Sequence, residues 1–306
     1  MVRSAPTPRL KRGAMVKSEP CPTGAQSLMT CLPPPRRAAS ALFLIAASAT
    51  LLAGCGDEDT DAPVGDGALT LAFEAVVGDA PFACGQTYEG LGTQSSSLTP
   101  IDLRFYVHDV VLLDGDGGEA PLALTADGAW QTEDIALLDF EDGCDNGTAE
   151  TNARIVGTAP KGDWTGVRFT VGVPPELNDM SLGLEQRVSP LNVSSMFWSW
   201  STGYKFFRID SNGPFRFHLG STGCASPDQP FACTNLNFPT VELDLDPTSG
   251  AVVIDIAALL TAVDLEQQET PCMSQPDNPN CAPIFGALGL PHGGGDGGAQ
   301  SAFRAR

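Results

Sequence analysis

The stretch Leu69-Thr70-Leu71-Ala72-Phe73-Glu74-Ala75-Val76-Val77 decides the fold class. Leu69, Leu71, Phe73, Ala75 and Val77 alternate with Thr70, Ala72, Glu74 and Val76, the period of two that buries one face of a β-strand. The same reading recurs over residues 101–113, 167–173, 196–209, 215–219 and 241–245. In the first of these, Ile101, Leu103, Phe105, Val107 and Val111 share one face, and Asp114-Gly115-Asp116-Gly117-Gly118 closes the strand as a turn. Residues 254–265 read as a strand running into a short helix, and the Gly-rich run 293–298 as a flexible tail. Short strands separated by Gly, Pro and Asn, without strand–helix alternation, predict an all-β, sandwich-like single domain with long loops and one short helix.

Residues ahead of that strand read as an export signal. An apolar run over 41–52 follows Arg36-Arg37 and ends in Leu52-Ala53-Gly54-Cys55. Such a run is too short to span a bilayer and is followed by small residues, as in a secretory signal. With cysteine at the cleavage position it resembles a bacterial lipobox, which makes Cys55 the lipidation site; a plain secretory signal cut nearby is the alternative. The expected divisions are an overlong or unstructured start (1–28), a signal peptide (29–54), an acidic tether (55–67) and a folded domain (68–306). The expected location is the periplasm or cell envelope, Gram-negative in type, held to a membrane by the lipid.

Beyond residue 54 the chain carries 10 Lys/Arg against 36 Asp/Glu, a net charge of −26. Nucleic-acid binding needs Lys and Arg to replace phosphate counterions, so that class of partner is excluded. Six cysteines follow the lipobox: Cys84, Cys144, Cys224, Cys233, Cys272 and Cys281. In an exported chain they read as three disulfides, zinc being the alternative, although no CxxC pair is present. Cys84–Cys144 is the natural remaining pair if the four later cysteines join among themselves. Local pairs (224–233, 272–281) and crossed ones both fit.

Chemistry concentrates in Met196-Phe197-Trp198-Ser199-Trp200, Gly203-Tyr204-Lys205 and His218-Leu219-Gly220. On a strand, Met196, Trp198 and Trp200 project from one face, and His218 falls on the side of its strand opposite Phe217 and Leu219. A thioether and an imidazole beside indoles suit a soft metal such as Cu(I). Met and Trp at strand spacing equally describe ordinary packing. His108, on the more polar face of its strand with Arg104 and Tyr106, reads as a surface or supporting residue. Asp114-Gly-Asp-Gly-Gly lacks the later glutamate of a calcium loop and fits a hairpin turn better. No nucleophile–base set for acyl transfer is present.

Asp102-Leu-Arg-Phe-Tyr-Val, Trp130-Gln131, Ala136-Leu-Leu-Asp-Phe-Glu-Asp-Gly, Gly172-Val-Pro, Met196-Phe-Trp-Ser-Trp, Gly203-Tyr-Lys-Phe, His218-Leu-Gly-Ser-Thr-Gly-Cys, Cys272-Met-Ser and Phe285-Gly-Ala-Leu-Gly-Leu run in order along the chain. In these segments it resembles the MbnP-like proteins of methanobactin operons, also called metallo-mystery-pair proteins. The resemblance implies an exported, non-enzymatic protein of copper homeostasis that binds one Cu(I) through a His and a Met. It further implies that the first Trp of the WxW motif is oxidised to kynurenine by a partner dihaem enzyme of the cytochrome c peroxidase/MauG type. Carried onto this chain, Trp198 is the residue converted, Trp200 its companion, His218 the imidazole ligand and Met196 the thioether. Met273 is a rival thioether and His108 the fallback. Where many relatives read Leu-Asn-His after Gly-Val-Pro, this chain has Leu177-Asn178-Asp179. The competing reading is a carbohydrate-binding or adhesin-like sandwich with Trp198, Trp200 and Tyr204 as a stacking platform.

Overall fold

The computed structural model describes residues 66–144, 147–178, 182–198, 203–224, 233–267 and 270–306. Cys55, the signal segment, Trp200 and Asp179 lie outside them. The strands in chain order are β1 (Gly67–Val77), β2 (Ala80–Pro81), β3 (Tyr88–Leu91), β4 (Ser96–Leu98), β5 (Pro100–Asp114), β6 (Glu119–Pro121), β7 (Ala123–Leu124), β8 (Ala136–Asp139), β9 (Arg154–Ala159) and β10 (Trp164–Val171). They continue with β11 (Phe207–Ser211), β12 (Arg216–Leu219), β13 (Thr222–Cys224), β14 (Cys233–Asn235), β15 (Thr240–Asp244), β16 (Ala251–Asp255) and β17 (Phe303–Ala305). One sheet runs β17-β16-β1-β9-β7 with β2 beside β1; the other runs β12-β11-β5-β10-β15 with β6 and β8 also on β5.

Aromatic residues hold the two sheets together, which makes the domain a sandwich as expected. Phe73 of β1 meets Phe105 of β5 and Phe169 of β10 edge-on, with centroids at 6.2 and 5.7 Å. Phe303 of β17 meets the same two rings at 5.6 and 5.7 Å. Each pair adds roughly 0.5–1.5 kcal/mol to what burial alone supplies. The alternation read in β1 is real: Leu69, Leu71 and Phe73 are buried between more exposed neighbours.

Several expectations need correction. Residues 196–209 are not one strand: Ser194–Met196 form a 3-10 turn, and among the described residues of this stretch the sheet strand begins at Phe207. In β5 the inward phase slips near Asp109 (φ 50°), opposite a break in register with β10, so Val110 and Leu112 are buried and Val111 only partly. Besides the expected helix α1 (Ile256–Leu260) there is a second, α2 (Ala282–Ala287). Beyond the Gly-rich run the chain returns as β17 and pairs with β16.

The cysteines pair as 84–144, 224–233 and 272–281, the local choice for the last four. The turn after β5 is closed by Asp114, whose carboxylate accepts from the amides of Asp116 and Gly118 at 2.9 and 2.6 Å, as a hairpin turn requires.

Candidate metal centre

The outer face of the seven-stranded sheet carries the site. On β5, β11 and β12, phenylalanine, leucine and isoleucine alternate with Asp102, Arg104, Arg208, Asp210, Arg216 and His218. Alternation therefore puts those charges on the side away from the aromatic core. The register sets Arg208 opposite both Arg104 and His218, and Asp210 opposite both Asp102 and Arg216. Between β5 and β11 like charges thus stand opposite one another, and the attractive contacts run diagonally between the strands or along a single strand. Arg208 reaches Asp102 at 2.7 Å and Asp210 at 2.6 Å, while Arg104 also pairs with Asp102. Long side chains make this diagonal reach possible across adjacent strands.

The segment between β10 and β11 covers this face. The Tyr106 hydroxyl donates to the Pro190 carbonyl at 2.9 Å, and the ring meets Tyr204 edge-on at 5.8 Å. Lys205 Nζ donates to the Ser195 carbonyl at 2.7 Å. Burial, and then the Arg208 charge, push the Lys205 pKa down to about 8.

His218 is buried, and its Nε2 lies 2.8 Å from Asp210 Oδ1. Its Nδ1 is buried and has no hydrogen-bond partner among the described residues. Burial holds the imidazole pKa below the ordinary histidine value, against the pull of Asp210. Burial would raise the Asp210 carboxyl, but His218 and Arg208 hold it well below the usual carboxylate range. A carboxylate on one ring nitrogen fixes the ring and leaves the other nitrogen a lone pair to offer, the arrangement found behind metal-ligating histidines.

Trp198 packs on the chain two residues beyond this imidazole. A Cβ placed on Gly220 would stand 2.6 Å from Trp198 Cζ3 and 2.7 Å from Cη2, so the indole rests on the bare glycine. Gly220 follows His218 by two residues, which puts both on one face of the chain leaving β12. The close approach explains why glycine ends the His218-Leu219-Gly220 motif. Trp198 itself is 2% exposed.

The thioethers are placed differently from the strand expectation. Met196 ends the 3-10 turn, is fully buried in the apolar core, and its carbonyl accepts from the Lys205 amide at 2.9 Å. Met273 lies in the segment beside β12, where Phe217 and Cys272 form a parallel bridge and His218 N donates to the Cys272 carbonyl at 2.9 Å. That register sets Met273 next to His218, with Cys272 on the core side beside Phe217.

His108 is not a surface residue. It is buried, with Nδ1 3.0 Å from Asp109 and the ring edge-on to Phe238 at 5.7 Å. Trp198 and Tyr204 are both buried, and the Tyr204 hydroxyl donates to the Leu191 carbonyl, so these rings offer no open platform for a sugar. Asn178 is buried and accepts from the Tyr204 amide at 2.9 Å. Cys84, Asp142 and Cys144 bring ligand atoms within 4.8 Å of one another, but the two sulfurs are bonded to each other and provide no thiolate. Sequence reasoning missed Asp210 and Arg208, although their alternation with Phe207 and Ile209 repeats that of Asp102 and Arg104 with Leu103 and Phe105.

The imidazole, with a buried nitrogen that has no hydrogen-bond partner among the described residues, and the thioether of Met273 at the next register position are donor types that fit a soft monovalent cation. No curated protein matches the sequence. The structure of MbnP from Methylosinus trichosporium is similar, with a TM-score of 0.66 and 28% identity, covering 79% of this chain and 99% of that one. The MbnP family model matches residues 66–274. This chain therefore belongs to the MbnP family.

Proposed function

We propose that this protein is an exported, lipid-anchored Cu(I) binder of copper homeostasis, serving as substrate rather than catalyst for a dihaem enzyme of the cytochrome c peroxidase/MauG class. The observation that carries the reading is His218, clamped through Nε2 by Asp210 with Nδ1 buried and unpartnered. His218 Nδ1 would hold the ion together with a thioether, and the register favours Met273 over Met196 for that role. Bound Cu(I) supplies a soft, two- or three-coordinate centre that needs no carboxylate ligand.

Within the site the residues divide the work. Asp210 holds the ring in the tautomer that leaves Nδ1 free to donate. Arg208 keeps Asp210 ionised. Trp198 is the side chain converted to kynurenine, with Trp200 its companion in the motif. Ring opening replaces the indole N–H with an aromatic amine and a ketone, which remodels the contact with Gly220 and adds weak donors beside His218.

The test uses the exported domain produced with and without its dihaem partner. Intact mass should show one ring carbon exchanged for one oxygen, peptide mapping should place the change at residue 198, and Trp198→Phe should abolish it. Titration with Cu(I) against a competing chelator should give one site, lost in His218→Ala. Comparing Met273→Leu with Met196→Leu identifies the thioether. Full retention of tight binding in His218→Ala would sink the proposed centre.

A further inference from the structure

We propose that Ser274 and Asn237 are positioning residues for Trp198, clamping the Gly220 backbone on which the indole rests. The inference deepens the reading above and rests on it for its link to modification. Gly220 lies just beyond the last ladder pair between β11 and β12, Phe207 with Leu219, so no ladder bond uses its own N–H or carbonyl. Two side chains do so instead. Gly220 N donates to Ser274 Oγ at 3.0 Å, and Asn237 Nδ2 donates to the Gly220 carbonyl at 2.8 Å. Ser274 Oγ in turn donates to the His218 carbonyl at 3.0 Å. One hydroxyl thus spans the imidazole residue and the indole's seat.

Both clamp residues are held in the left-handed region, Ser274 at φ 64° and Asn237 at φ 54°. For a side chain such as serine that conformation is disfavoured and persists only where its surroundings impose it. Here the left-handed turn at Ser274 takes the chain out of its parallel register with β12 and delivers the hydroxyl where the next backbone bond would fall. Each clamp sits beside a small disulfide loop. Ser274 follows Cys272, joined to Cys281, and Asn237 follows the hairpin closed by Cys224–Cys233. The second loop is tied back to the site because Ser221 Oγ donates to the Leu236 carbonyl at 2.9 Å. Two of the three disulfides therefore converge on one glycine. A backbone shift there would move the indole, which touches it at van der Waals distance. A displacement of an ångström at a reacting group costs up to about a hundredfold in rate.

Ser274→Gly and Asn237→Gly test this, because glycine accepts both backbone conformations and removes only the side-chain bond. The unmodified domain is labelled with 5-fluorotryptophan, and the residue-198 resonance is assigned by its loss in Trp198→Phe. Each variant should move that resonance toward the free-indole position or broaden it, with the other tryptophan resonances unmoved. With the dihaem partner, the initial rate of conversion at residue 198 should fall about tenfold or more. An unmoved resonance in both variants overturns the proposal, as does conversion at the wild-type rate. If wild type is never converted but the resonance moves, the positioning role stands and the modification reading falls.

Discussion

The two faces of the seven-stranded sheet are built from the same three strands and solve opposite problems. Inward, Leu103, Phe105, Phe207, Ile209 and Phe217 meet the other sheet and gain from leaving water. Outward, Asp102, Arg104, Arg208, Asp210 and His218 are also buried, and must satisfy every charge with another. The first face tolerates change in proportion to lost volume. The second fails when any one partner is withdrawn, because the charges left behind have no water to turn to. The comparison suggests that the outward face is kept for its geometry, since apolar side chains would bury as well.

Four experiments would break or sharpen this contrast. Asp102→Ala should have the largest effect, about 3–5 kcal/mol by urea unfolding, because it takes the shared carboxylate from two buried guanidiniums and leaves Arg104 only its 3.8 Å contact with Asp139 and Arg208 only Asp210. Phe105→Ala should cost a similar 3–5 kcal/mol, since the ring stacks on Phe207 at 5.4 Å and meets Phe303 edge-on. If Asp102→Ala proved neutral, the idea of a face held together by mutual charge satisfaction would be wrong.

The third experiment is a pH series. Burial raises the pKa of Asp139 from 3.8 to about 7, despite Arg104 at 3.8 Å. The folded state therefore holds a proton that the unfolded chain releases, and this group's contribution falls as pH rises from about 4 to about 7. Asp139→Asn should flatten that decline, and stability curves of the two proteins that stay parallel would rule it out. The smallest effect belongs to the exposed pair of Arg168 with Glu119: Glu119→Gln should leave the urea midpoint nearly unchanged, and any small loss should vanish in high salt.

Much of the inward face could be read from the order of residues. Hydrophobic alternation in β1 and β5 identified the strands, and the even set of six cysteines indicated three cross-links without choosing local over crossed pairing. Placing His218 away from Phe217 and Leu219 was also legible, because side-chain parity survives any change of partner. The 3-10 turn at Met196 was not, since Met-x-Trp-x-Trp has a strand period while its backbone is set by contacts with Lys205 and Tyr204. Asp210 was hidden for a different reason: an acid eight residues before His218 becomes its partner only once β11 and β12 pair. Met273, Ser274 and Asn237 come from other segments of the chain, and the bridge of Cys272 to β12 and the bond from Ser221 to Leu236 bring them to Gly220.

A consequence follows from the parallel pairing of β1 with β16. The Gly78 amide donates to the Asp255 carboxylate across 177 residues, and the same carboxylate accepts from Ala257 and Ala258 to start α1. A strand formed among the earliest residues thus waits for one of the latest before its edge is covered. Chains with such distant pairings fold slowly, because a large loop must close before any contact rewards it. Until then β1 presents an open hydrogen-bonding edge that other chains can take, so a holding chaperone should raise the yield of refolding more than it raises its rate.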